Sequence, residues 1–462
     1  MDKIKLLQQR RADVLAVGKD IRKAIASLVD ADSFVELSGF SFSKNEFYDS
    51  NIAEDGVVAG FATIDGYAVY IAAQNFNVLH GGVSSGNCAK IRRCQELAEK
   101  NSTPIIYVLN SLGVQIGEGI TVLEGMASVL SKSAKMHGVV PQFAIVNGEA
   151  YGQISLLAAS ADFTFFMKDG ILAPNSPLVL SAKSGKNLPK EEVGGAHALS
   201  KANLVSFEAQ DLAEVRSDIV KILSVLPEYS PQIIDDGADL NAAAPTLNGG
   251  ATAENLISAV FDAETAVEIG RGFAQEVRCV LGRVGGIAAA GIVFDDAAPV
   301  SLNENNVAKI TAFAEFAAYY DLPFVTFVNA AGIRPDLETV GSLAYKNIFK
   351  LMETYDLLEN AKISVVYKNA IGLGYTLFAA KSIGFDYVYA FADAKIALFD
   401  SVQGAEIEFA DEKGADKKKL EARYSDETSD PIHAAKNGYV DNIIEPQFVK
   451  QYLIASLQML QK

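Results

Sequence analysis

The chain has 462 residues, half of them hydrophobic and 21% charged, a balance that suits two or three packed domains and excludes a disordered chain. Its formal net charge of −17 argues against nucleic acid or an anionic membrane surface as the main partner. The three cysteines, Cys88, Cys94 and Cys279, form no C-x-x-C pair, so neither a disulfide framework nor a cysteine zinc site is expected, no bound metal is expected, and a reducing cytosol fits.

In chain order, the first stretch is MDKIKLLQQRRADVLAVGKDIRK. It is charged throughout and lacks the apolar core of a signal peptide. No run in the chain approaches the ~18 apolar residues of a membrane span. A cytoplasmic protein without a span is the expectation. Next comes an internal repeat. SLVDADSFVEL (27–37) resembles SAVFDAETAVEI (258–269), aligning Asp30 with Asp262. NCAKI (87–91) returns as NVAKI (306–310), and PIIYVLNSLG (104–113) as PFVTFVNAAG (323–332), both at an offset of 219. Asn110 then matches Asn329 and Gly113 matches Gly332. Glu118 matches Glu338, and Ala150 and Gly152 match Ala370 and Gly372, at an offset of 220.

Two homologous domains follow, 1–235 and 253–462. They are joined by a linker at 236–252 within QIIDDGADLNAAAPTLNGGAT, rich in Gly, Ala, Asn and Asp. Each copy reads strand, glycine loop, amphipathic helix, strand, glycine loop, helix. The helix before PIIYVLN places Ala89, Ile91 or Arg92, Leu97 and Ala98 on one face. Strands alternating with helices imply mostly parallel, buried sheets in an α/β fold.

Each repeat contains one unusual corner: NGEAYGQIS (147–155) and KNAIGLGYT (368–376). Both run from an apolar strand through glycine into a small-residue helix. Such a corner either packs a helix closely or offers backbone N–H groups to a ligand beyond the strand ends. Side-chain chemistry is sparse. There is no H-E-x-x-H and no G-x-S-x-G, and SGKN (184–187) is not a P-loop. His80, His137, His197 and His433 are scattered. His80, just before Gly81 and Gly82, is the one to follow. Lys135, in AKM (134–136), reads as a solvated helix lysine.

Three further stretches carry a resemblance: EEVGGAHALS (191–200), VKILSVLPEYSP (220–231) and DPIHAAKNGYVDNIIEP (430–446). With them, nearly the whole chain resembles the carboxyltransferase subunits of biotin-dependent acyl-CoA carboxylases, of the propionyl-CoA carboxylase beta-chain type in the crotonase superfamily. The resemblance implies a tandem pair of crotonase-like (ClpP/crotonase) ββα-spiral domains. Acyl-CoA would lie on the first domain and biotin on the second, with sites where domains of different subunits meet in a homo-oligomer, most often a hexamer. Light scattering at micromolar concentration checks this, and a monomer would refute it. Biotin would arrive on a separate biotin carboxyl carrier protein, charged by a biotin carboxylase on another chain. A carboxyl group would pass between carboxybiotin and the α-carbon of a short-chain acyl-CoA, with one corner holding the thioester enolate and the other the ureido oxygen.

Carried over by position, the resemblance makes the N–H groups of Gly152 and Gln153 the thioester donors, and those of Leu373 and Gly374 the biotin-side donors. Gly81, Gly82, Gly113, Gly148 and Ala150 shape the substrate side. Lys90, Arg92 and Arg93 are candidates for the CoA phosphates. Gly332, Gly372 and Tyr375 shape the biotin side. The chain departs from the family pattern at Asn75, Asn110 and Asn329, where the family has Asp, and at Gln115, where it has Arg. Alternatives remain: the same subunit in a decarboxylase, a non-catalytic scaffold, or another crotonase-type reaction using Glu149, Glu118 or His80 as acid or base.

Overall fold

The computed structural model describes residues 2–43, 52–53, 56–235, 237, 239–412 and 416–460. Positions 236 and 238 of the expected linker, and positions 1, 44–51, 54–55, 413–415 and 461–462 of the two expected domains, lie outside the described residues.

The first unit opens with helices α1 (Lys3–Val17) and α2 (Lys19–Leu28). Its sheet contains β1 (Val35–Leu37), β2 (Val57–Ile64), β3 (Tyr67–Gln74), β4 (Ile105–Ser111), β5 (Gln142–Tyr151), β6 (Phe163–Met167), β7 (Ile171–Ala173) and β8 (Phe207–Ala209). The order is β1-β2-β3-β4-β5-β6-β8, with β7 paired to β5. The β1–β2 and β2–β3 pairs are antiparallel, and the later pairs are parallel. Crossovers run through α3 (Ser85–Lys100), α4 (Ile120–Met136) and α5 (Ile154–Ala159), then α6 (Lys190–Gly194) and the closing α7 (Leu212–Val225). Tyr107, Leu109, Ala144 and Val146 of the sheet pack with Ile91, Met126 and Leu157 of the helices. The strands are apolar on both faces because helices cover both.

The second unit repeats the plan. Its sheet holds β9 (Val267–Ile269), β10 (Val277–Val284), β11 (Ile287–Phe294), β12 (Val300–Leu302), β13 (Phe324–Ile333), β14 (Lys362–Ile371), β15 (Tyr387–Phe391), β16 (Lys395–Ala397) and β17 (Asn442–Ile444). The order is β9-β10-β11-β13-β14-β15-β17, with β12 on β13 and β16 on β14. Its helices include α8 (Glu304–Tyr319), α9 (Ala344–Leu357), α10 (Leu373–Phe378), α11 (Pro431–Lys436) and α12 (Val449–Met459). The tandem α/β architecture read from the repeat is the one observed.

Each unit is clamped by the aspartate that the repeat aligned. The β2–β3 hairpin turns through Asp65 and Gly66, both at positive φ, and the β10–β11 hairpin through Gly285 and Gly286, likewise. Two positive φ values in a two-residue loop match the right-handed strand twist. Asp30 accepts from the N–H groups of Asp65 (2.9 Å) and Gly66 (3.0 Å) and from Thr63 Oγ1 (2.7 Å). Asp262 accepts from Gly285 (3.2 Å) and Gly286 (2.8 Å). Each carboxylate then pairs with a cation of its unit's closing helix: Arg216 of α7 at 2.7 Å and Lys450 of α12 at 2.7 Å.

Contacts divide the chain within α7, between Val220 and Lys221. On the second-unit side of that division, Arg283 is 2% exposed. Its guanidinium donates to the carbonyls of Ser224 (2.6 Å), Pro231 (2.7 Å), Gln232 (3.0 Å) and Gly286 (2.7 Å). Ile234 N–H continues onto Gly286 O at 3.0 Å, and Leu247 is buried in the second core. A segment whose composition reads as a linker is thus held to the second sheet. In α3, the inward face is Cys88, Ile91, Cys94, Gln95 and Ala98. Ala89 is exposed and Arg92 and Leu97 are half-buried, because the cysteines and a buried glutamine set the stripe.

Asp30→Asn should cost about 1.5–3 kcal/mol by weakening charged hydrogen bonds. Arg216, with the turn N–H groups, holds the Asp30 carboxyl well below the usual carboxylate range. The stabilisation is therefore present above the unfolded pKa of about 4 and is lost as pH falls below it. Thermal melts of wild type and variant should differ most near neutrality and converge in acid.

Candidate active site

The two corners are built alike. After a register shift between Leu109 and Ser111, β5 continues, pairing Glu149–Tyr151 with Ile171–Ala173 of β7. Gly152 then takes φ +75 and donates its N–H to Ala173 O at 3.1 Å. Gln153 is already right-handed helical, at φ −64 and ψ −23, and α5 begins. In the second unit Asn369–Ile371 pair with Lys395–Ala397 of β16. Gly372, at φ +53, donates to Ala397 O at 2.9 Å, and α10 begins at Leu373.

The Gly152 N–H is thus engaged within the corner by Ala173. Among the described residues, no protein acceptor is found for the N–H groups of Gln153 and Ile154, nor for those of Leu373 and Gly374. The repeat offset of 220 relates Ile154 to Gly374. Gly374 is sterically required: an added Cβ would lie 2.5 Å from Ala330 O.

Around the first corner, glycine allows tight approach. A Cβ on Gly81 would lie 2.0 Å from Asn110 O, and one on Gly148 would lie 2.6 Å from Asn110 Oδ1. Gly82 is packed by Gln115, whose Nε2 donates to Gly82 O at 3.1 Å. Gly113, at φ +123, is open. Ala150 is fully buried and paired with Ser111, so it supports the corner from the core and does not face a ligand.

The cationic cluster does not act together. Lys90 is 6% exposed and its ammonium donates to Val57 O, which removes it as a phosphate contact. Its repeat mate Lys309, 4% exposed, donates to Phe273 O and Val277 O, each at 2.7 Å. Arg92 is occupied by Glu96 (3.0 Å) and Ser128 O (3.2 Å). Arg93 is exposed and only loosely paired, at 3.9 Å from Glu96. The candidate acids and bases are also engaged or turned outward. Glu118 accepts from Ser85 N–H at 2.6 Å, capping α3. Glu149 pairs with Lys190 at 3.0 Å. His80 is exposed against Phe76.

EEVGGAH forms α6 and its end. A Cβ on Gly194 would lie 2.4 Å from Leu172 O, so this glycine lets α6 seat on β7 behind the corner. DPIHAAKNGYVDNIIEP forms α11 and β17. Asp441 fixes it by accepting from Lys381 (2.6 Å) and Val388 N–H (2.8 Å). This tail and the second corner line a cavity of about 540 Å³ that includes Gly372, Leu373, Tyr375, Thr376, His433 and Tyr439. Burial pushes the Tyr375 hydroxyl pKa up, so it stays a neutral donor and acceptor. Gly332 is open, with no atom within 4 Å of an added Cβ. The walls supplied by His433 and Tyr439 escaped sequence reasoning, because they lie some sixty residues downstream of the corner they flank.

A repeated strand-to-helix corner with two N–H groups that meet no protein acceptor, and little side-chain acid–base chemistry beside it, is the feature the two α/β units share. The chain belongs to the carboxyl transferase domain family, which it matches over residues 15–462. It is 28% identical to the methylmalonyl-CoA decarboxylase subunit alpha of Veillonella parvula, with 99% of this chain and 96% of that one covered. It is 28% identical to the propionyl-CoA carboxylase beta chain of Cereibacter sphaeroides, covering 93% and 88%. Among solved structures it is similar to transcarboxylase 12S, described as a hexamer assembly with methylmalonyl-coenzyme A bound. The TM-score is 0.92, with 25% identity over 99% of this chain and 95% of that one. Among the described residues, no helix is long and apolar enough to cross a membrane, and no cluster of three or more His, Cys, Asp or Glu side chains could hold a metal.

Lys90→Ala should lower stability by about 1–3 kcal/mol, because it removes the buried donor to the Val57 carbonyl. It should leave acyl-CoA affinity and its salt dependence unchanged. Thermal melting and a CoA titration at two ionic strengths check both.

Proposed function

We propose that this chain is the carboxyltransferase subunit of a biotin-dependent acyl-CoA carboxylase or decarboxylase. It would move a carboxyl group to or from the α-carbon of a short-chain acyl-CoA. The observation that carries this reading is the duplicated corner: one reaction needs two oxygens stabilised, and the chain offers two pairs of unspent N–H groups. Family membership and the acyl-CoA enzymes among its relatives support the same reading.

In this reading, Gln153 and Ile154 donate to the thioester oxygen of acyl-CoA as negative charge develops on it during α-proton removal. Leu373 and Gly374 donate to a carbonyl oxygen in the second cavity. That cavity suits a small neutral bicycle: Leu373 of the corner, neutral Tyr375 and Thr376, and apolar Leu398 all line it. Biotin, brought by a carrier on another chain, supplies the carboxyl group or accepts it. Because the donors are backbone groups, Gln153 and Leu373 can stand where the family pattern has glycine. A homo-oligomer, hexameric as the 12S relative is described, would bring corners of different copies together. Biotin carboxylase would act as a separate chain.

The donors can be tested without breaking the fold. Gln153 has φ −64 and an N–H with no protein acceptor, so Gln153→Pro removes a donor at a compatible φ. Removal of one oxyanion donor costs roughly a hundredfold or more in turnover. We expect that loss for carboxyl transfer between biotin and propionyl-CoA, with melting unchanged within a few degrees. Leu373→Pro should give a similar loss expressed on the biotin side. Full turnover in both folded variants would make the corners packing features. Acyl-CoA binding by wild type without any carboxyl transfer would favour a scaffold.

A further inference from the structure

Beside the first corner lies a second polar feature that the proposed reaction does not use. A recess of about 120 Å³ opens at the C-terminal ends of β3, β4 and β5, under α2. Its lining includes five carboxamides: Gln74, Asn75, Asn77, Asn110 and Asn147. Gln74 is 2% exposed. Its Oε1 accepts from Asn110 N–H at 2.9 Å, while its buried Nε2 has no partner. Among the described residues, the side-chain amides of Asn110 and Asn147 also have none. Asn75 and Asn77 are committed: Asn75 Oδ1 accepts from Asn77 N–H (3.2 Å), and Asn77 Nδ2 donates to Asp20 (3.1 Å).

The other repeat provides an internal control. At an offset of 220, Gln74 and Asn147 correspond to Phe294 and Tyr367, both fully buried aromatics. Phe294 packs edge-on against Phe378 at 4.8 Å, and the Tyr367 hydroxyl donates to Phe294 O. Asn329, the mate of Asn110, spends its amide on Asp295 O (2.7 Å) and Ala298 O (3.0 Å). The positions that form an unsatisfied polar recess in the first unit are plugged and satisfied in the second. A buried donor left unpaired costs about 1–3 kcal/mol, so its retention on one side only points to a ligand group that completes it.

The chemistry of that group follows from the lining. No cation lines the recess, and Asp20 stands at it, so a phosphate or carboxylate would be buried without compensation. The free Nε2 calls for an acceptor, and the free asparagine amides offer both donors and acceptors. We propose that the recess is a subsite for one neutral CO–NH group of the ligand. This rests on the carboxyltransferase reading, whose two substrates both carry such a group. They are the amides of the pantetheine arm of acyl-CoA and the ureido ring of biotin.

The test titrates pantetheine and biotin separately into the full chain in its native assembly. It compares wild type with Asn147→Ala and with Asn147→Tyr, which imports the plug of the second unit. Asn147 is half-buried, so the alanine variant should fold even if the tyrosine variant does not. We expect Asn147→Ala to weaken one ligand at least fivefold and leave the other unchanged, with Asn147→Tyr abolishing the same one. A loss confined to pantetheine assigns the acyl-CoA arm, and a loss confined to biotin assigns the ureido ring. Unchanged affinity for both in a folded variant, or no binding of either by wild type, would mean the recess holds only water, and overturns the proposal. Carboxyl transfer by wild type, measured in parallel, separates the cases: transfer with unaffected variants removes the subsite and leaves the proposed function standing.

Discussion

Each half of this protein depends on one hydrogen bond, from a left-handed glycine to the last residue of a three-residue strand. Gly152 closes onto Ala173, and Gly372 closes onto Ala397. The bond ends a long parallel strand, reverses the backbone with a φ open to glycine at little cost, and starts a helix at once. The first N–H of the turn is consumed in making it. The next two are left without protein acceptors because a helix has no earlier turn to receive them. The same bond that shapes the corner thus selects which groups can meet a ligand.

The shared features of the two halves are mostly structural. NCAKI and NVAKI repeat because each places a lysine inside the unit, where its ammonium reaches carbonyls at the start of the neighbouring strand. An ammonium is costly to bury and stays only where such acceptors satisfy it. The aligned aspartates repeat because each ties a tight hairpin to the unit's closing helix. Divergence falls on the surfaces beyond the strand ends. There the first unit has carboxamides and an open recess. The second has aromatic plugs and a roomy cavity walled by the C-terminal tail. A duplicated scaffold has been given two different linings.

On the proposed reading, backbone donors also explain why the corner tolerates Gln153 and Leu373. A side-chain oxyanion donor would fix the residue at its position. A main-chain donor fixes only the path of the chain, provided that the side chain can leave the site. Gly374 shows the limit, because there the opposing backbone of Ala330 leaves no room for a Cβ.

Much of this was legible in the residues. Repeat offsets of 219 and 220 gave two units of one fold, and strand–helix alternation gave parallel sheets. Glycine punctuation located both corners, and the tail and EEVGGAH pointed to the family. Local patterns carry such information because strand period, turn geometry and glycine tolerance are properties of a few adjacent residues. What the linear order could not decide was the use of each polar group. Lys90 beside two arginines reads as a basic patch, yet it points inward. Gly152 reads as a donor to a ligand, yet its N–H donates to the carbonyl of Ala173, twenty-one residues later. The Asp- and Asn-rich stretch after 232 reads as a linker, yet Arg283 holds its start to the second sheet. Hydrogen-bond partners are chosen by proximity in space, and only the packed tertiary structure determines which donors are spent and which remain for a ligand.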